Sequence, residues 1–122
     1  MIDWQTLQEK LPLLDEYHLQ RMEQELGPSV FARLLRLFIE DGQQLGKTLE
    51  LAFLDHSWAQ MALSCHSLKS ACGSYGALRC QYLSEKLEQS CNQQDEVTIG
   101  QQYKAWQSAL AATLVAAQDR LK

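Results

Sequence analysis

The stretch that decides the fold of this chain runs from His66 to Gly76 and reads HSLKSACGSYG. On a helix, which turns by about 100° per residue, apolar side chains from this stretch and the segment before it share one stripe. The stripe consists of Trp58, Met61, Cys65, Leu68, Cys72 and Tyr75. His66 lies about 120° from the centre of the stripe. The pattern therefore predicts an amphipathic helix with a histidine on its flank rather than in the core.

The surroundings of His66 on this helix are unusually small. Its helical neighbours are Ala59, Ala62, Lys69, Ser70 and Gly73. Apart from the lysine, none has a bulky side chain, so we expect an accessible imidazole with one cation a turn away. Leu63 is predicted to face outward, opposite the apolar stripe, as a docking contact.

Each of these residues alone has a plainer interpretation. His66 by itself reads as an ordinary surface histidine, Lys69 as a solvated charge and Gly73 as a helix defect. Because His66, Lys69 and Gly73 lie on the same side of the helix, a functional site is favoured over three unrelated residues. His18 and His56 have no comparable setting, and we interpret them as a surface helix residue and a loop residue.

The motif resembles that of a known family. His66-x-Leu-Lys followed by two small residues, with Gly73 and Gly76 at the seventh and tenth positions after the histidine, is similar to the signature of histidine-containing phosphotransfer domains. Residues 34–41 resemble the second bundle helix of that family, and residues 76–78 and 87–88 resemble its "Gly-Ala…Leu-Glu" segment. The similarity extends over roughly residues 15–120. Ser70 departs from the pattern, because glycine is the commonest residue there.

The resemblance implies a phosphorelay intermediate. His66 would accept a phosphoryl group from the receiver-domain aspartate of a hybrid sensor kinase and pass it to the receiver domain of a response regulator. Lys69 would pair with phosphate oxygens, while Ala62, Leu63, Ser70 and Gly73 would give access and docking. No cofactor is expected on this chain, and Mg²⁺ is expected on the partner receiver. The alternative function is a helical adaptor that binds receivers without phosphotransfer.

Glu88 is predicted to orient His66. It falls about 90° from the core side of its own helix and matches the glutamate or glutamine of the family's "Leu-Glu" segment. If the two helices pack antiparallel, the Glu88 carboxylate would take the proton of one ring nitrogen and leave the other free to attack phosphorus. The alternative is a solvated surface glutamate, either unpaired or beside Lys86 or Gln89.

Composition limits the other classes of function. The chain has 122 residues, which suits a single domain over residues 1–122, and its net charge of −4 argues against a nucleic-acid partner. It has no apolar run of the ~20 residues that a membrane span needs and no signal peptide at its start, so we expect no membrane partner and a cytoplasmic location.

No phosphate-binding Gly-x-x-x-x-Gly-Lys-Ser/Thr loop is present, so self-phosphorylation from ATP is not expected. Because the sequence starts at Met1 and ends in a helix, a free-standing relay protein is favoured over a module of a hybrid kinase.

The four cysteines are Cys65, Cys72, Cys80 and Cys91. They fall on apolar helix faces without tight zinc spacing, so core packing is favoured over metal binding or redox chemistry. We therefore expect no metal site.

Helical periodicity runs through the chain, and we predict an all-α antiparallel four-helix bundle with one or two additional N-terminal helices. Asp3 would cap a short first helix that Pro12 limits, and further helices are expected at about residues 15–26, 28–54, 57–76, 77–92 and after Asp95. Ser57 and Gln60 form a candidate capping box. Gly42 and Gly46, inside the long helix, mark either close approach of another backbone or a bend. The apolar stripes all fit one core, so a monomer is expected.

Overall fold

Six helices make up the part of the chain that the structure, a computed structural model, describes, which is residues 3–122. They are α1 (Trp4–Lys10), α2 (Glu16–Leu26), α3 (Pro28–Leu54), α4 (Trp58–Ser74), α5 (Leu78–Gln93) and α6 (Glu96–Arg120). Helices α3 to α6 pack in cyclic order, since each contacts the next and α6 returns to α3. Helix α2 packs on α3, and α1 packs on α5. The predicted four-helix bundle with two N-terminal helices is confirmed.

Polar caps start three of the helices where the sequence predicted them. The side chains of Asp3, Asp15 and Asp95 each accept a hydrogen bond from a backbone N–H in the first turn of α1, α2 and α6. Such a bond satisfies one of the donors that a helix N-terminus leaves free. Between α2 and α3, Gly27 adopts a positive φ of 86° and Pro28 is the first residue of α3. One helix therefore stops and the next begins at this dipeptide, between the helices predicted at about residues 15–26 and 28–54.

The capping box predicted at Ser57 is wrong. Ser57 does precede α4, but its side chain makes no capping hydrogen bond. Its backbone N–H donates to the carbonyl of Ala52 at 2.9 Å and so closes the connection from α3. The donor that Gln60 would bond in a capping box is thus already used.

Helix α4 ends in a left-handed glycine turn. Gly76 has a φ of 67°, and the N–H of Ala77 donates to the carbonyl of Cys72 at 2.9 Å. The N–H of Gly76 donates to the carbonyl of Gly73 at 3.3 Å, which completes a Schellman motif. This turn reverses the chain and sets α5 antiparallel beside α4.

The bundle core includes the cysteines. All four are buried and free, which confirms their predicted packing role. From α4 the core also takes Met61 and Leu68, so the predicted stripe faces inward. None of the helices within residues 3–122 is long and apolar enough to cross a membrane.

The two glycines inside α3 allow close packing against α6. A Cβ on Gly42 would lie 2.9 Å from Cδ2 of Leu114, and one on Gly46 would lie 3.0 Å from Cδ2 of Leu110. The neighbour is thus a leucine side chain, not another backbone. The predicted close approach of another backbone is therefore wrong, and the two glycines make room for leucine side chains of α6 instead.

His18 is a partly exposed residue of α2, as predicted, and it also connects this helix to the end of α4. Its ring is half-buried, and Nε2 lies 2.9 Å from the carbonyl oxygen of Ser74 at the end of α4. The N–H of Asp15 donates to the carbonyl of Gly76 at 2.8 Å. The start of α2 is therefore attached to the turn between α4 and α5. His56 lies in the α3–α4 connection, as predicted.

Candidate functional site

His66 lies on the outer flank of α4, and 65% of its side chain is exposed. The helix turns this flank outward because Cys65 and Leu68, its neighbours on the apolar stripe, are buried. Leu63, one turn earlier, is 65% exposed, and Ser70, one turn later, is also exposed. The predicted accessibility of the imidazole is confirmed.

Glu88 faces His66 from α5. Burial of Leu83, Ser84 and Leu87 places Glu88 at the edge of the α5 core face, and only 20% of its side chain is exposed. Its Oε2 lies 3.3 Å from Nδ1 of His66. The contact predicted between these residues is present, while the catalytic role of Glu88 stays a prediction.

Lys69 contacts the other oxygen of the same carboxylate. Its Nζ lies 3.1 Å from Oε1 of Glu88 and donates a hydrogen bond to it. Glu88 therefore bridges the imidazole and the ammonium, both of which come from α4. Sequence analysis predicted Lys69 as a phosphate ligand and missed this pair, although antiparallel packing of the two flanks would have indicated it.

Two residues predicted for access lie elsewhere. Ala62 is buried, with 9% of its surface exposed, and belongs to the core rather than to a docking face. Gly73 is half-buried and faces α5, where an added Cβ would lie 2.9 Å from Nε2 of Gln81. Helix α4 packs against both α3 and α5, which leaves a narrower exposed strip than a single apolar stripe predicts.

The contact with Glu88 favours one imidazole tautomer. A carboxylate only accepts hydrogen bonds. A neutral imidazole is therefore most stable here with its proton on Nδ1, the nitrogen that faces Glu88. Nε2 then holds the lone pair. The arrangement thus presents a nucleophilic nitrogen on an exposed flank.

Two of the buried cysteines, Cys65 and Cys91, have thiols that resist ionisation. Burial raises the pKa of Cys65, and burial together with the Glu88 charge raises the pKa of Cys91 to about 11. A thiol must lose its proton to act as a nucleophile or a metal ligand. Within residues 3–122, no group of three or more His, Cys, Asp or Glu side chains is arranged to hold a metal ion.

Comparison with known families shows the family to which the chain belongs. The Hpt domain family matches residues 33–119, a span that includes His66, Lys69 and Glu88. The chain belongs to the Hpt domain family. It is therefore a histidine phosphotransfer protein of a phosphorelay, and proteins of this family interact with receiver domains.

A solved structure agrees with the Hpt fold. The crystal structure of histidine-containing phosphotransfer protein B (HptB) from Pseudomonas aeruginosa PAO1 superposes with a TM-score of 0.83 at 18% sequence identity. The alignment covers 90% of this chain and 95% of that one. No curated protein matches the sequence significantly. Helices α1 and α2 lie outside the residues that match the Hpt family.

Proposed function

We propose that His66 is the phosphoacceptor of this Hpt protein. It takes a phosphoryl group from the aspartyl phosphate of a receiver domain on a hybrid sensor kinase and passes it to the receiver domain of a response regulator. The observation that carries the proposal is the exposed imidazole of His66, with Nδ1 held 3.3 Å from Glu88 and Nε2 on the other side of the ring.

The transfer step balances without a base on this chain. The Nε2 lone pair attacks phosphorus, a nitrogen–phosphorus bond forms, and the bond from phosphorus to the aspartate oxygen breaks. The electron pair leaves with the aspartate carboxylate. Nδ1 keeps its proton, and the positive charge that develops on the ring faces the Glu88 carboxylate. The second transfer is the same step in reverse, towards a different aspartate.

Lys69 supplies a positive charge on a flexible side chain. In the unphosphorylated protein it is held by Glu88, and about a third of its side chain is exposed. Three equatorial phosphoryl oxygens carry the negative charge of the transition state, and a lysine on a flexible stem can turn towards them. We expect the Mg²⁺ of the reaction to be bound by the receiver domain and not by this chain.

Labelling from a phosphorylated receiver tests the proposal. The protein is mixed with a ³²P-labelled receiver domain that has been separated from its kinase, and we expect an acid-labile, alkali-stable label on His66. His66→Gln should take no label while keeping its helix content and melting temperature, because an exposed flank residue contributes little to stability.

Full labelling of His66→Gln would contradict the assignment. Stable binding of the receiver by the wild-type protein without any label would instead support the adaptor function.

A further inference from the structure

A groove extends from the phosphotransfer site along the flank shared by α4 and α5. Its volume is about 430 Å³, and we call it the Leu11 groove. It is lined by Leu11, Lys69, Leu78, Gln81, Tyr82 and Glu85. Lys69 therefore belongs both to the groove and to the group formed with Glu88 and His66.

The outer wall of the groove is fixed in place by Arg79. Its Nε donates to the carbonyl of Leu11 at 2.9 Å, and Nη2 donates to the carbonyl of Glu9 at 3.2 Å. Its backbone N–H donates to the carbonyl of Pro12 at 3.1 Å. Three hydrogen bonds thus hold the α1–α2 connection against the start of α5. This wall comes from residues outside the part of the chain that matches the Hpt family.

The lining of the groove combines apolar surface with negative charge. Leu11, Leu78 and the ring of Tyr82 supply the apolar part, and Glu85 is an exposed carboxylate that forms no ion pair within residues 3–122. Burial, and after it the charges of Glu85 and Asp3, raises the pKa of Tyr82. Lys69 offsets little of this charge because Glu88 already holds it.

Lys86 is a neighbouring cation whose charge partly offsets that of Glu85. Lys86 places its Nζ 5.5 Å from the centroid of the Tyr82 ring but does not line the groove. The lining therefore suits an apolar side chain next to a basic one.

Resting on the proposed function, we propose that the Leu11 groove is a docking site for the receiver domain, which inserts an apolar side chain and sets a basic residue against Glu85. The groove is continuous with the site at His66, because Lys69 belongs to both. A stable protein interface covers about 800 Å² on each partner, far more than one imidazole. From Glu88 to Tyr82 the axis of α5 rises by only about 9 Å. A receiver seated on His66 therefore lies within reach of the groove.

The groove gives this chain a means of choosing between receivers. The reacting groups of different receivers must all fit His66, so discrimination has to come from contacts outside the chemistry. A receiver with an acidic residue facing Glu85 would be disfavoured by repulsion between like charges.

Charge reversal with a matched control tests the proposal. Glu85→Lys and Tyr82→Ala alter the groove. Glu50→Lys makes the same charge change at an exposed glutamate that lines the groove between α3 and α6, on the opposite side of the bundle. Two rates are measured for each variant: transfer from a phosphorylated receiver domain, and labelling of His66 by phosphoramidate, a small phosphodonor that needs no docking surface.

We expect Glu85→Lys and Tyr82→Ala each to raise the KM for the receiver about tenfold, as removal of a well-placed interface contact does, with phosphoramidate labelling unchanged. Glu50→Lys should change neither rate. An unchanged KM in both groove variants would overturn the proposal. So would an equal fall in both rates, because these residues would then act through His66 and not through docking.

If the proposed function itself is wrong, the labelling by the two phosphodonors differs in another way. In that case the wild-type protein takes no label from any phosphorylated receiver while phosphoramidate still labels it. That result would overturn both the relay function and the partner assigned to the groove.

Discussion

The Glu88 carboxylate divides its two oxygens between the imidazole of His66 and the ammonium of Lys69. Ion pairs with this much exposure are worth at most about 1 kcal/mol of stability. We therefore expect their value to be positional: Glu88 would orient the imidazole ring, favour its Nδ1–H tautomer and hold the nearest cation before a partner arrives.

Removing the carboxylate should slow transfer without unfolding the bundle. We expect Glu88→Ala to lower the transfer rate about 10- to 100-fold, because the ring loses the group that fixes its orientation. Glu88→Gln should recover part of the rate, since an amide oxygen still accepts the Nδ1 proton. The measurement is single-turnover transfer from a phosphorylated receiver, with thermal melting as the control. Equal rates in Glu88→Ala and the wild-type protein would leave Glu88 as a surface residue.

Lys69 should matter for the transition state rather than for docking. Lys69→Ala removes a positive charge that the phosphoryl oxygens attract, so we expect a lower kcat with little change in the KM for the receiver. Lys69→Arg keeps the charge and should retain more of the rate. A rise in KM alone would show that Lys69 acts as a docking contact.

The sequence predicted His66 and its exposure because helical phase alone separates the flank from the core. It also brought Glu88 to the correct flank. It did not predict that Ala62 would be buried or that Gly73 would face Gln81, since both depend on how the neighbouring helices pack against α4. Packing distances between helices leave no periodic signal along the chain.

At the scale of the helices, the starts and stops follow local chemistry. Asp3, Asp15 and Asp95 cap helices through bonds that span three residues, so the sequence carries the whole signal. The contact of His18 with Ser74 spans 56 residues, and that of Arg79 with Leu11 spans 68. Only the tertiary fold brings such pairs together, which is why the role of His18 was missed.

Replacing a helical glycine with alanine should change the free energy of unfolding differently at Gly100 and at Gly42. A Cβ on Gly100 in α6 would meet no atom within 4 Å, so Gly100→Ala should raise the free energy of unfolding by about 1 kcal/mol through helix propensity. A Cβ on Gly42 would meet Leu114 at 2.9 Å, so the same gain is offset by repacking that costs about 1–3 kcal/mol. Urea unfolding of the two variants measures the difference. Equal stabilisation by both would show that α3 does not need Gly42 for packing.

At the scale of the whole molecule, one closed bundle buries the apolar faces of α3 to α6, and α1 and α2 cover part of its outside. The sequence predicted this architecture because each long helix carries its own apolar stripe. The order in which the helices pack follows from the short connections between them.

The buried thiols should make stability depend on alkaline pH. The pKa of Cys91 is about 11 in the folded protein, above its ordinary value of 9.0. An unfolded chain therefore releases this proton first, and the contribution to stability is complete below pH 9 and is lost as the pH rises towards 11. Urea midpoints measured between pH 8 and 11 should fall, and they should fall less steeply in Cys91→Ala. The same slope in both proteins would contradict the assignment.

The molecule should be a monomer that ignores nucleotide. Within residues 3–122, the bundle helices bury most of their large apolar side chains in one core, so little apolar surface is left to drive obligate dimerisation. Light scattering across a range of concentrations should give the mass of one chain, and calorimetry with ATP should detect no binding. A stable dimer would contradict the first expectation, and specific ATP binding the second.

The most direct test of the central claim is the state of the histidine nitrogens before and after transfer, measured by ¹H–¹⁵N and ³¹P NMR on the ¹⁵N-labelled protein. We predict that His66 starts as the Nδ1–H tautomer and that incubation with a phosphorylated receiver attaches phosphorus to its Nε2, with His18 and His56 unmodified. Phosphorus on Nδ1 of His66, on another histidine or on no histidine would contradict the account.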